Sequence, residues 1–226
     1  MDDVSIGPCD AADLPRMTDL LAGALGFGPR DAIPAWLAHV TAEAGGVCLA
    51  ARAGANLVGA SFAFPAVAGG EPCLYACGLA VAPGWRGRGV GAALKLAQRE
   101  IALGRGLRVI RWTADPVSAA ALGLYLPRLG ARIVGYRAGM FAGLRAGAGP
   151  ELDDVEIRWE LTGAPGPAAA VARVEIPASP ALDPARWRPR VRAEMAPLLA
   201  AGLEGHAVER HPVSGRVWVG FAAGAA

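Results

Sequence analysis

Pro83-Gly84-Trp85-Arg86-Gly87-Arg88-Gly89-Val90-Gly91, followed at once by Ala92-Ala93-Leu94-Lys95-Leu96-Ala97-Gln98-Arg99-Glu100-Ile101, is the stretch on which the fold turns. Its second part reads as a helix. Val90, Leu94, Ala97 and Ile101 recur at i, i+4, i+7 and i+11 and form one apolar stripe. Lys95 and Arg99 share another face, and Gly104 and Gly106 end the run. Upstream, Cys73 to Val81 is a long apolar strand. Strand, glycine-rich turn and helix over 74–103 make a geometry that receives anions. The glycines permit a tight turn and close approach, and the free N–H groups of the first helical turn converge on one spot. Phosphate is the usual occupant. Arg86 and Arg88 would add charge-assisted donors. No Gly-Lys-Ser/Thr of a P-loop follows, and the third glycine and distant acid of a dinucleotide fingerprint are missing. A glycine turn into a packed helix is the plainer reading of Gly-x-Gly alone. The arginines and the strand–helix context favour the anion site.

Working outward, Val4 to Gly7 reads as a strand, and Asp10 as the cap of a helix through about Leu25. A second helix is expected over Asp31–Glu43. A hairpin follows, with strands Val47–Arg52 and Leu57–Phe64 around Ala55-Asn56. Beyond the central helix come a strand at Leu107–Thr113, a helix from Pro116 to about Leu129 closed by Gly130, and a strand at Ala131–Arg137. Gly139 to Asp154 reads as loop and Val155–Leu161 as a strand, and Gly163–Ala170 is Pro/Gly/Ala-rich, as a linker is. The tail has a strand at Val171–Ile176, a helix at Arg190–Ala201, and a hairpin of His206–Arg210 with Arg216–Phe221. The pattern predicts a mixed α/β sheet, with one domain over 1–161 and a small extension over 171–226.

Composition excludes other classes. The 226 residues are 54% hydrophobic and 19% charged, opposite to the disorder signature. There are 50 Ala and 31 Gly, and the 22 basic residues are 21 Arg and the single Lys95. The longest uncharged stretch, Ala53–Gly70, is broken by Gly54, Asn56, Gly59 and Pro65, so no spanning helix and no membrane partner are expected. Met1-Asp2-Asp3 shows no signal-peptide start. Cys9, Cys48, Cys73 and Cys77 have no CxxC spacing, which suits a reduced, cytoplasmic protein. A net charge of +2 gives no argument for nucleic acid.

Arg86-Gly87-Arg88-Gly89-Val90-Gly91 resembles the Q/R-x-x-G-x-G/A signature of the GCN5-related N-acetyltransferases (GNAT), and the order of elements resembles that fold through about residue 138. Leu94–Glu100, Trp112–Pro116, Leu129-Gly130-Ala131 and Val174–Pro177 look like a poorly characterised bacterial branch with a C-terminal extension. The resemblance implies transfer of an acetyl, succinyl or other short acyl group from acyl-CoA to the amine of a small molecule such as an amino acid, with no metal. It implies a cofactor site at Leu79, Ala80, Val81, Arg86, Gly87, Arg88, Gly89, Val90, Gly91 and Ala92, with a backbone N–H near Leu79 or Val81 polarising the thioester. The thioester would lie where strands 73–81 and 107–113 splay. Departures stand beside this. Leu126 takes the place of the family's proton-donating Tyr, and Tyr125 would point about 100° away on a helix. Ala76, Cys77, Ala120 and Ala121 stand where the branch has polar residues. An acyl-CoA-binding module without turnover is therefore the alternative.

Asp115 is the candidate for general base or ammonium holder, and equally a helix cap before Pro116. Glu71, Cys77, His39 and Arg30 are lesser candidates; each reads more simply as a loop acid, a buried thiol, a helix histidine and a solvated arginine. His206 and His211 lack metal-ligand spacing. Arg186, Arg188, Arg190 and Arg192 read as a solvated face rather than a nucleic-acid patch. For the tail, two roles are open: covering the acceptor site or building a homodimer contact.

Overall fold

The structure, a computed structural model, describes residues 4–28, 30–144, 152–163, 169–179 and 181–224. The chain divides into two compact units, 1–110 and 111–226. The first is built on β1 (Val4–Pro8), α1 (Asp13–Leu25), α2 (Ala35–Glu43), β2 (Val47–Ala53), β3 (Asn56–Ala68), β4 (Glu71–Val81) and α3 (Val90–Gly104). Its strands lie side by side in the order β1-β2-β3-β4, all antiparallel.

Asp10 caps the turn that leads into α1, whose own N-cap is Ala12. Asp10 Oδ1 accepts the N–H of Ala12 and Asp13, both at 2.9 Å, while Asp13 Oδ2 accepts the Asp10 N–H at 3.3 Å. This reciprocal cap is worth about 1 kcal/mol. Leu14, Met17 and Leu21 then pack on Cys48, Ala60, Phe62 and Ala80. Helix α2 starts later than Asp31. Pro34 stands at its N-cap in extended backbone, and a proline disfavours helix at the residue before it. Strands β3 and β4 run past the expected limits at Phe64 and Cys73 and form a second hairpin. Gly69 and Gly70 both have positive φ, and Ala68 faces Glu71 across the two-residue turn. Strand alternation puts Gly59 on the face opposite Ala60, where Val90 and Leu94 of α3 cover it.

Within β4 the register slips by one residue. Phe62 faces Gly78 and Ala63 faces Ala76, so Cys77 is the extra residue of a bulge. Cys77, Gly78 and Ala80 all turn towards the α1 side.

The second unit contains β5 (Val109–Ala114, whose first residues fall in unit 1), α4 (Ala119–Tyr125), β6 (Arg132–Arg137), β7 (Asp154–Glu160), β8 (Ala172–Ile176), α5 (Pro184–Ala200), β9 (Leu203–Arg210) and β10 (Val217–Ala223). The strand order is β5-β7-β6-β9-β10-β8. Helix α4 is half the expected Pro116–Leu129 span. Pro127 has no N–H with which to continue the helix, although Leu126 before it keeps helical backbone angles, and Ser118 rather than Asp115 is the N-cap. Helix α5 begins well before Arg190. Asp183 caps it by accepting the Arg186 N–H at 3.3 Å, Pro184 opens it, and Pro189 and Pro197 lie inside. Val191, Met195 and Leu199 form its buried stripe, over β6, β8 and β9. The tail expected as a separate piece lies within unit 2, where β9 pairs with β6 at Gly205 and Ile133. Part of the expected linker, 164–168, lies outside the described residues, as does 145–151 of the expected loop.

Three of the four arginines in the α5 run are paired, while Arg186 is exposed and lies over the Trp187 ring. Arg188 pairs with Asp115, Arg190 with Glu175 and Glu194, and Arg192 with Asp153. Another bulge places His206 out of register between Gly220↔Ala207 and Phe221↔Gly205. No described helix is long and apolar enough to cross a membrane.

Lys95, on α3, is 1% exposed. Burial pushes its ammonium down to about 7, from 10.5. Between those values the unfolded chain holds a proton that the folded chain does not, so this group's contribution to stability rises with pH. Lys95→Met should therefore stabilise the protein by about 1–3 kcal/mol near neutral pH. Thermal unfolding should show that advantage shrinking as the pH is raised to about 10.

Candidate functional site

The turn between β4 and α3 begins with a 3-10 segment at Pro83–Trp85. Gly87 and Gly89 have φ of 73° and 86°, in the left-handed region. Gly89 is the N-cap of α3, with no side-chain cap. The first intrahelical bond runs from Ala93 N–H to Gly89 O at 3.0 Å. The N–H groups of Val90, Gly91 and Ala92 precede that bond and have no intrahelical acceptor. A Cβ on Gly87 would meet nothing within 4 Å, so the backbone there borders open space. Residues 86–88 are exposed. Three convergent donors at the positive end of a 15-residue helix form a cradle that fits a phosphate or pyrophosphate.

The arginines flank this cradle differently. Arg86 folds back, donating from Nε to Val81 O at 3.0 Å. Arg88 lies over the Trp85 ring, 5.2 Å from its centre. Both guanidinium groups keep further N–H donors for an anion.

The end of β4 offers a second set of donors. Ala82 N–H bonds Val58 O at 2.9 Å. In an antiparallel ladder this direction alternates, so Leu79 and Val81 turn their N–H groups away from β3, while Ala80 turns its own towards β3. The side chain of Ala80 is 3% exposed, in the α1 core. The Cys77 bulge sits just before these residues and bends the strand. Burial pushes the Cys77 thiol up to about 12, which keeps it protonated and weakly nucleophilic.

Asp115 follows β5. Its Oδ1 accepts the Val117 N–H at 3.0 Å and Arg188 Nη1 at 3.2 Å, and its Oδ2 accepts Arg188 Nη2 at 2.8 Å. Nothing local announces this pairing, since Arg188 is 73 residues away in sequence. Leu126 is 1% exposed and belongs to the core. Tyr125 packs edge-on against Trp112, ring centres 5.0 Å apart, and burial pushes its phenol up to about 12. Of the remaining candidates, Glu71 opens β4, His39 is exposed on α2, and Arg30 is exposed in a turn. The four cysteines are free thiols. Among the described residues no group of three or more His, Cys, Asp or Glu could hold a metal.

Against known proteins, a family profile described as "Acetyltransferase (GNAT) family" matches residues 15–131. No curated protein sequence matches significantly. Among solved structures, the chain is similar to the IAA acetyltransferase of Bacillus cereus ATCC 14579, with a TM-score of 0.54 and 21% identity over 70% of this chain and 99% of that one. It is also similar to a GNAT family acetyltransferase of Elizabethkingia anophelis with acetyl-CoA bound (TM-score 0.54, 19% identity, 71% and 99% covered). A third is the ribosomal-protein-S18-alanine N-acetyltransferase of Escherichia coli (TM-score 0.56, 18% identity, 73% and 98% covered). These three are covered almost whole, so this chain carries residues beyond what they share with it.

The cradle depends on a backbone that a side chain resists. Gly89→Ala would place a Cβ on a residue at φ 86°. It should cost about 1–2 kcal/mol, read as a lower urea midpoint.

Proposed function

This chain belongs to the GNAT acetyltransferase family, and on that premise we propose that it moves a short acyl group from acyl-CoA to the amine of a small molecule such as an amino acid. Acetyl is the first candidate, since the Elizabethkingia relative was solved with acetyl-CoA; succinyl remains within the reading. The observation that carries the proposal is the cradle at Gly87–Ala92, with its three unbonded first-turn N–H groups and open space above Gly87.

Acyl-CoA, when bound, supplies an activated thioester carbonyl and a thiol leaving group. The N–H groups of Val90, Gly91 and Ala92 hold the pyrophosphate, and Arg86 and Arg88 neutralise its charge. The outward N–H of Leu79 or Val81 donates to the thioester oxygen, where negative charge develops as the amine adds. Asp115 receives the acceptor's ammonium and orients it; once its proton has left to water the carbon–nitrogen bond forms, the carbon–sulfur bond breaks, and the leaving thiolate takes a proton from water. The Tyr125 phenol stays protonated through the neutral range. The setting is cytoplasmic, and neither a metal nor a nucleic acid enters the scheme.

One observation favours a second reading, an acyl-CoA-binding module without turnover. Leu126 fills the proton-donor place and is sealed in the core, and Ala76 is 5% exposed. Both readings predict CoA binding. The Arg86→Ala, Arg88→Ala double variant should bind CoA about 10–100-fold more weakly by calorimetry, and an unchanged affinity would sink both. Turnover separates them. Thiol release from acetyl- or succinyl-CoA above background with at least one amine of a panel establishes the transferase. Release with none of them establishes the binding module.

A further inference from the structure

We propose that Arg188 of α5 is a positioning residue for Asp115, through which the C-terminal segment sets how an acceptor cation is held. The proposal rests on the reading of Asp115 as the acceptor-holding group. An ionised carboxylate offers about four lone-pair sites. At Asp115 three are taken, two by the fork of Arg188 and one by the Val117 N–H. The remaining site lies on Oδ2. The Arg188 side chain is 12% exposed while that of Asp115 is 35% exposed, so the guanidinium lies inside and the carboxylate reaches solvent. The pair is built as a fixed base with one open acceptor position, which suits an ammonium. A bidentate fork fixes the plane of the carboxylate, which a point charge would not.

Arg188 is itself held in register. One helical turn further along α5, Arg192 donates from Nε to Asp153 Oδ2 at 2.7 Å, and its Nη2 bonds Oδ1. Asp153 is 3% exposed and also accepts from the Tyr136 hydroxyl at 2.6 Å and the Gly139 N–H at 2.8 Å. Burial pushes the Asp153 carboxyl up, but hydrogen bonds from Arg192, Tyr136 and Gly139 outweigh it and hold the group below its ordinary range. Residues four apart share a helix face, so the two arms fix both the rotation and the slide of α5. Only the Arg188 arm ends on a candidate site residue.

That asymmetry supplies the control. In the full-length protein, Arg188→Gln should raise the acceptor KM about tenfold and leave the KM for acyl-CoA within about twofold. Arg188→Lys should recover part of the loss. Arg192→Gln loosens the register of α5 but leaves the Arg188 fork in place, so it should lower the Tm while raising the acceptor KM much less than Arg188→Gln does. The proposal is overturned if Arg188→Gln leaves the acceptor KM unchanged, or if Arg192→Gln raises it equally. If no amine gives turnover, the functional reading has failed by itself. The positioning claim is then read from urea midpoints of Asp115→Asn, Arg188→Gln and their double variant. A double-variant shift smaller than the sum supports it, and strict additivity overturns it.

Discussion

Helix α3 can lie where it does because Gly59 has no side chain. A Cβ there would stand 2.9 Å from Val90 Cγ1 and 3.2 Å from both Leu94 Cδ1 and Ala51 Cβ. Val90 and Leu94 are 1% and 0% exposed, and each such burial contributes about 1.5–3 kcal/mol. Val90 is also the first residue of the helix. The contact that secures the core thus fixes the height at which the first-turn N–H groups emerge. The alanines serve the same end. Ala50, Ala51, Ala60 and Ala63 are fully buried in β2 and β3, and their small size lets helices settle closely on both faces.

The same helix carries groups that oppose its seating. Lys95 and Gln98 are buried on α3, and Ser61 lies two residues beyond Gly59 on the same face of β3. Among the described residues, Ser61 Oγ and both amide atoms of Gln98 have no hydrogen-bond partner. Each such atom costs about 1–3 kcal/mol, which the burial of Val90, Leu94 and Ala102 on the same helix must offset.

The parts of the fold that could be read in sequence are those whose cause is local. Gly87 and Gly89 announce a left-handed turn, Asp10 and Asp13 a capped start, and the apolar stripe of α3 its buried face. The turn and the start of α3 were legible for that reason. Long-range causes were not. The bulge at Cys77 inverts the phase of the end of β4, so alternation counted from Cys73 through Cys77 carries Leu79 and Val81 onto the wrong face. Prolines act in both directions: α4 stops short of Pro127, while Pro189 and Pro197 are absorbed within α5. The partner of Asp115 was invisible, because an ion pair spanning 73 residues leaves no spacing to read.

The arginine run shows why periodicity must be settled before charge is interpreted. Arginines at alternate positions would line one face of a strand, but a helix turns about 100° per residue. On α5, Arg188 and Arg192 stand about 40° apart while Arg190 points about 200° from Arg188. The run therefore splits into arms that reach different carboxylates: Asp115 and Asp153 on one side, Glu175 on the other. Glu175 is gripped from a second direction by Arg216, at 2.6 and 2.7 Å, and the hydrogen bonds of Arg216 and Arg190 hold its carboxyl below the ordinary range against the opposing effect of burial. Planar, forked donors make such junctions where lysine could not. In a chain with 21 Arg and one Lys, these arginines act as connectors between elements and add directional register to a helix whose Val191, Met195 and Leu199 already pack it in place.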